Sequence, residues 1–149
     1  MAISLDLQIE SVAKSLPAAD SIAQWVGAAL QAEYLDLEQT IRIVDEDESR
    51  ALNSQFRGKD KATNVLAFPA DSDLLEYDCL GDLVICAPLV EAEAKAQGKP
   101  ADAHWAHLVI HGMLHLQGYD HQTEDQAARM EALEVEILDT LGYTNPYND

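Results

Sequence analysis

All five histidines of this 149-residue chain fall within the 18 residues from His104 to His121, on a segment that is otherwise almost entirely apolar. At about 100° per residue, His104, His111 and His115 share an arc of roughly 40°, with His107 about 40° beyond one edge. Trp105, Leu108, Val109, Ile110, Met113, Leu114 and Leu116 fill the rest of the circumference. A helix that is apolar on nearly every side must be buried, so the chain has to wrap its other elements around this one. Buried imidazoles on one stripe need partners or they cost desolvation. A metal ion supplies one.

The spacing sharpens that reading. His111 and His115 stand one helical turn apart and can chelate one ion from the same side. Gly118 permits a reversal just past the helix end, which brings His121 back as a third ligand. The pattern His-x-x-x-His-x-x-Gly-x-x-His has the spacing of the metzincin zinc site. A metzincin carries Glu directly after its first histidine as the general base of peptide hydrolysis, and here that position is Gly112. Three neutral nitrogens with an open fourth position suit Zn²⁺, one per chain, with a water whose pKa is lowered toward about 7. A structural zinc normally has four protein ligands, often cysteines. Cys79 and Cys86 match no such spacing and are expected as small core residues flanking a strand. Asp120 is open to three readings: a fourth ligand, an acceptor behind the ligands, or a solvated loop residue. His107 is expected behind the ligands or in the packing, His104 partly exposed near the helix start, and Met130 in the core.

The rest of the chain predicts what surrounds the histidine helix. Ile3, Leu5, Leu7 and Ile9 alternate with polar residues at the period of a half-buried strand. Ile22, Trp25, Val26, Ala29 and Leu30 recur at helical spacing after Pro17. Thr40 to Val44, Val65 to Phe68 and Leu83 to Cys86 read as three more strands. Helices are predicted over Asp47 to Phe56 with Gly58 as cap, from Pro88 to Gly98, and from about Asp102 to Gln117. Thr123 and Gln126 form a capping box opening a last helix, which Gly142 closes. The expectation is a single α+β domain over residues 1–149: a small mixed sheet of about four strands packed with about five helices, carrying a zincin-like three-histidine site. The composition, 48% hydrophobic and 24% charged, excludes a disordered or fibrous chain. The longest apolar run, Leu83 to Val90, is eight residues, against roughly 20 for a membrane span. The first residues lack a signal-peptide pattern. A soluble cytoplasmic protein, away from membranes, is therefore expected.

Charge points two ways. Nine Lys and Arg against 27 Asp and Glu leave −18, a field that repels nucleic acid and anionic membranes at long range. Arg57, Lys59 and Lys61, however, place three of those nine cations within five positions, a local strip suited to an anionic substrate.

The run from His111 through Gly118 to His121 resembles the signature of the YbeY family, metal-dependent single-strand endoribonucleases of bacterial ribosomal RNA maturation. The run from Leu52 to Pro69, the segment Leu80 to Ile85 and the helix from Met130 to Gly142 are also similar to that family. The likeness thus covers most of the chain. It departs at Asn64, where the family usually has Asp, and at Ala67, where it usually has Ser. The resemblance implies His111, His115 and His121 as zinc ligands and Arg57 as the catalytic arginine near the metal. It also implies a role in small-subunit rRNA 3′ end maturation and ribosome biogenesis, with ribosomal subunits or ribosome-associated proteins as partners. The planar fork of Arg57 suits phosphate bidentately, and Lys59 and Lys61 are placed to attract single-stranded RNA independently of sequence. With glycine at 112, the base is a zinc-bound hydroxide, another carboxylate or the substrate's own phosphate. Two rival readings are a zinc hydrolase of peptides or small molecules and a non-catalytic, zinc-stabilised ribosome-assembly factor.

Overall fold

The alternating apolar residues of the N-terminus form β1 (Ala2–Glu10), which pairs in parallel with β2 (Asp36–Val44). The predicted amphipathic helix α1 (Ala19–Ala29) connects them. After α2 (Glu46–Arg57), β3 (Val65–Pro69) and β4 (Asp78–Cys86) pair antiparallel, and β4 lies parallel to β2. Three helices complete the chain: α3 (Ala87–Gln97), α4 (Ala101–Leu116) and α5 (Glu124–Thr140). The sheet order is β1-β2-β4-β3, mixed, with β3 on one edge. This is the expected α+β arrangement. The computed structural model describes residues 2–32, 36–70 and 78–147.

Two strands are longer than periodicity suggests, since β2 and β4 each run to nine residues. Their first halves lack a continuous apolar run and are held by backbone pairing. At the irregularity between Glu38 and Thr40, the buried Gln39 amide donates to the carbonyls of Thr40 and Gly81, at 3.0 and 2.9 Å. Gly81, paired with Pro69, has φ +131°, and a Cβ there would lie 2.2 Å from the Phe68 carbonyl oxygen. Only glycine lets β3 approach β4 at that point.

Strand alternation sends side chains to two different cores. Leu37, Ile41, Ile43, Leu83 and Ile85 meet Ile22, Trp25 and Val26 of α1 and Trp105, Val109, Ile110 and Met113 of α4. On the opposite face, Val44, Leu66, Val84 and Cys86 form a smaller cluster beneath Leu52, Phe68 and Leu89. The histidine helix α4 is central, touching α1, α3, α5, β3 and β4, as its nearly all-round apolar surface requires. Cys86 is buried and Cys79 half-buried, both free, and Met130 is in the core. The capping box of Thr123 and Gln126 forms with both of its hydrogen bonds. His104 corrects the expectation of partial exposure: it is only 4% exposed, because α3 packs against α4. No described helix is long and apolar enough to cross a membrane.

Candidate metal centre

Gly118 makes the site possible. It takes φ +100°, and its amide and that of Tyr119 return to the carbonyls of His115 and Leu114 at 3.0 and 3.1 Å. This paired closure is the left-handed stop that glycine allows at a helix end. Tyr119 then packs against the main core, and the chain folds back so that His121 faces α4. Ligand nitrogens of His111, His115 and His121 all lie within 4.8 Å of one another. The three histidines singled out by spacing are therefore brought together on one point.

Two features fit this cluster to a metal ion. Burial pushes His115 below the ordinary imidazole pKa, and its neighbours His111 and His121 push the same way. The neutral form that binds metal is thus favoured. His111 is also oriented from behind. Its Nδ1 lies 3.1 Å from Oε1 of Glu134, and because a carboxylate only accepts, that nitrogen carries the proton. Nε2 is left with its lone pair free for an ion, an orienting arrangement common behind metal-bound histidines.

Glu134 is the residue that sequence reasoning missed. It is fully buried and accepts hydrogen bonds from three donors: His107 Nε2 at 2.8 Å, His111 Nδ1, and the Tyr147 hydroxyl at 2.9 Å. Burial raises its pKa, but the hydrogen bonds and charges of His107 and His111 outweigh that and leave it lowered to about 2. Burial and the Glu134 carboxylate together push the Tyr147 phenol up, so it remains a donor. A signal exists in the sequence: Met130, Glu134 and Leu138 share one helical stripe, and an acid between two core residues demands partners. His107 shares the Glu134 carboxylate with His111.

The cleft over the histidines has a volume of about 720 Å³, and Arg57, Lys59 and Lys61 also line it. Buried polar side chains of α2 hold the segment that carries these cations. The Ser49 hydroxyl donates to the Thr63 carbonyl at 2.8 Å and accepts from the Thr63 amide at 2.9 Å, while Asn53 donates to the Lys61 carbonyl at 2.9 Å. Ser49 and Asn53 are the buried residues of α2. Arg57 is exposed, yet Nη2 donates to the Ala67 carbonyl at 2.6 Å, and the guanidinium lies 5.8 Å from the centre of the Phe68 ring. One end of the fork is anchored, and the residue as a whole lines the cleft.

Asn64 also lines the cleft and joins a second network. Its amide donates to Glu93 at 3.1 Å, and Glu93 accepts from His104 Nε2 at 2.9 Å. Burial lowers the His104 pKa, against the opposing influence of Glu93. An aspartate at position 64 would face Glu93 with like charge, whereas asparagine donates to it. Asp120 lines the cleft and accepts from the His121 amide at 2.7 Å, orienting the ligand-bearing loop. It is the only carboxylate among the described lining residues.

Gly112 has a packing reason. A Cβ there would lie 2.7 Å from Leu83 Cδ2 and 3.4 Å from Val65 Cγ2, so α4 sits too close to the sheet for a side chain to fit without displacing its neighbours. A side chain of any size at this position, including the glutamate of a metzincin, would have to displace the Leu83 side chain.

A protein of Cellvibrio japonicus named Endoribonuclease YbeY is 52% identical over 147 residues, covering 97% of this chain and 83% of the relative. One of Pseudomonas entomophila with the same name is 55% identical over 149 residues, covering 99% and 94%. The solution structure of TM1509 from Thermotoga maritima superposes with a TM-score of 0.57 at 25% identity, covering 96% of this chain and 99% of that one. Residues 7–142 match the Endoribonuclease YbeY family. The histidine turn, the cation-bearing loop and the helix behind them all lie within that span, and the chain belongs to the Endoribonuclease YbeY family.

Proposed function

We propose that this protein is a zinc-dependent endoribonuclease that hydrolyses phosphodiester bonds of single-stranded RNA. The observation that carries the reading is the convergence on one cleft of a three-imidazole metal cluster and a third of the chain's cations. His111, His115 and His121 would hold one zinc, for which three neutral nitrogens are a suitable donor set. A bound zinc supplies positive charge to a phosphate oxygen and acidifies water.

The chain's own residues do the rest. The free N–H groups of Arg57 meet the phosphate oxygens on which charge builds, and because Ala67 already fixes the guanidinium, little reorganisation is needed. Lys59 and Lys61 attract the flanking backbone. Glu134 holds the His111 ring in ligating orientation, and Asp120 holds the backbone at His121. The names of the relatives supply RNA as the substrate. The family resemblance supports the finer role: cytoplasmic processing of ribosomal RNA at the small-subunit 3′ end, together with ribosomal subunits or ribosome-associated proteins. Gly112 weighs against peptide hydrolysis, since it supplies no carboxylate where such a base would stand.

The test is cleavage of single-stranded RNA, duplex RNA and casein by one preparation, before chelator, after it, and after zinc is returned. The expected outcome is cleavage of single-stranded RNA alone, lost with chelator and restored by zinc. Casein hydrolysis, or RNA cleavage untouched by chelator, would overturn the reading.

A further inference from the structure

Phe56 is the last apolar residue of α2 and is 56% exposed, although Leu52, one turn earlier, packs on the smaller core. Its ring meets Phe68 edge-on, with centroids 5.3 Å apart and planes at 72°. Phe68 belongs to the edge strand β3, and its alternation with Ala67 places it on the face of the sheet away from the histidines. Arg57 links the two faces. It lines the metal cleft, donates to the Ala67 carbonyl over the strand edge, and lies 5.8 Å from the Phe68 ring centre. The aromatic pair therefore begins where the cationic side of the cleft ends. Beyond it opens a groove of about 430 Å³ with a largely apolar floor, edged by Gln8, Thr40, Asp82 and the ion-paired Arg42 and Glu48.

An exposed phenylalanine alone needs no explanation. Three observations set this one apart. Its partner ring is fixed by packing, so the pair offers an ordered aromatic surface. It adjoins a concentration of positive charge in a chain of net charge −18. The groove beside it is largely apolar with polar groups at its edges, which suits a flat heterocycle with a π-face and polar edges. Aromatic platforms beside cationic grooves are how single strands are held without reading their sequence. We propose that Phe56, backed by Phe68, is a stacking ledge for one nucleobase of a single-stranded RNA, with that nucleotide's phosphate on Arg57 at the mouth of the metal cleft. The proposal rests on the RNA reading above. It also gives a physical source for single-strand preference, because a base held in a duplex has no free face to offer.

The test is a binding cycle with zinc-loaded protein, read by rapid mixing before turnover. A set of short single-stranded oligoribonucleotides carries one abasic nucleotide moved along the strand. For the wild type, one position should cost roughly fivefold to a hundredfold in affinity when its base is removed. Phe56→Leu should bind the intact strand more weakly by a similar factor and lose that dependence on position, and Phe56→Tyr should restore both. A structural effect of the leucine would instead weaken intact and abasic strands alike. If the wild type binds and Phe56→Leu binds equally well, or loses affinity equally for both strands, the ledge is refuted while the RNA reading stands. If the wild type binds none of these RNAs, the RNA reading fails and takes the ledge with it.

Discussion

Glu134 shows how much a single residue behind a site can decide. It stands at a core position of α5, and among the described residues no Lys or Arg pairs with it. Its charge is tolerated because His107, His111 and Tyr147 all donate to it. Glu134→Gln keeps the volume but removes the charge, leaving one neutral amide oxygen for His107 and His111 to share. His111 then loses the charged acceptor that holds its proton on Nδ1. Zinc affinity should fall about 10- to 100-fold, the usual cost of removing an orienting partner, measured by competition with a chromogenic chelator. Unchanged affinity would mean that His111 is held by helix packing alone. The acid within the apolar stripe is visible in the sequence, but its histidine partners lie 23 and 27 residues away on another helix, and no local pattern links them.

At the scale of elements, the contact between α4 and the sheet is set by Gly112. Alanine there gains up to about 1 kcal/mol of helix propensity. Its Cβ, however, would meet a fully buried Leu83 at 2.7 Å, and overpacking of this kind costs about 1–3 kcal/mol. Gly112→Ala should therefore lower stability by on the order of 1 kcal/mol in urea unfolding, and a stabilised variant would show that Leu83 can yield. The helix α2 carries a different lesson. Leu52 packs on the smaller core, yet the buried positions are Ser49 and Asn53, whose hydrogen bonds hold the loop of Lys59 and Lys61.

For the molecule as a whole, the question is how a chain of net charge −18 attracts RNA. The cations near the histidines act within about a Debye length, roughly 8 Å at physiological salt, while the remaining acidic surface opposes approach elsewhere. Replacing Lys59 and Lys61 together with alanine should weaken binding to all single strands. It should also flatten the dependence of log K on log salt by roughly 0.7 for each phosphate no longer neutralised. Arg57→Ala should instead lower kcat more than it weakens binding, since its charge matters most as the phosphate becomes more anionic. Single-turnover cleavage at saturating RNA, beside binding across a salt series, separates the two. A wild-type cleavage rate in Arg57→Ala would remove it from the chemistry.

Most elements and the three-histidine cluster are legible in the chain alone, because both are local. Strand alternation, the all-round apolar character of α4, the Thr123 capping box and the histidine spacing around Gly118 each operate within a short stretch of chain. Hydrogen bonding and sterics at that range leave few alternatives. What the histidines and the cleft cations rest on and face comes from packing between elements. Glu134 behind His111, Glu93 between Asn64 and His104, and the anchoring of Arg57 on Ala67 all join residues on different elements. Such pairings depend on how closely and at what angle the elements pack, and that is fixed only when Leu83, Trp105, Met113 and their neighbours share one core.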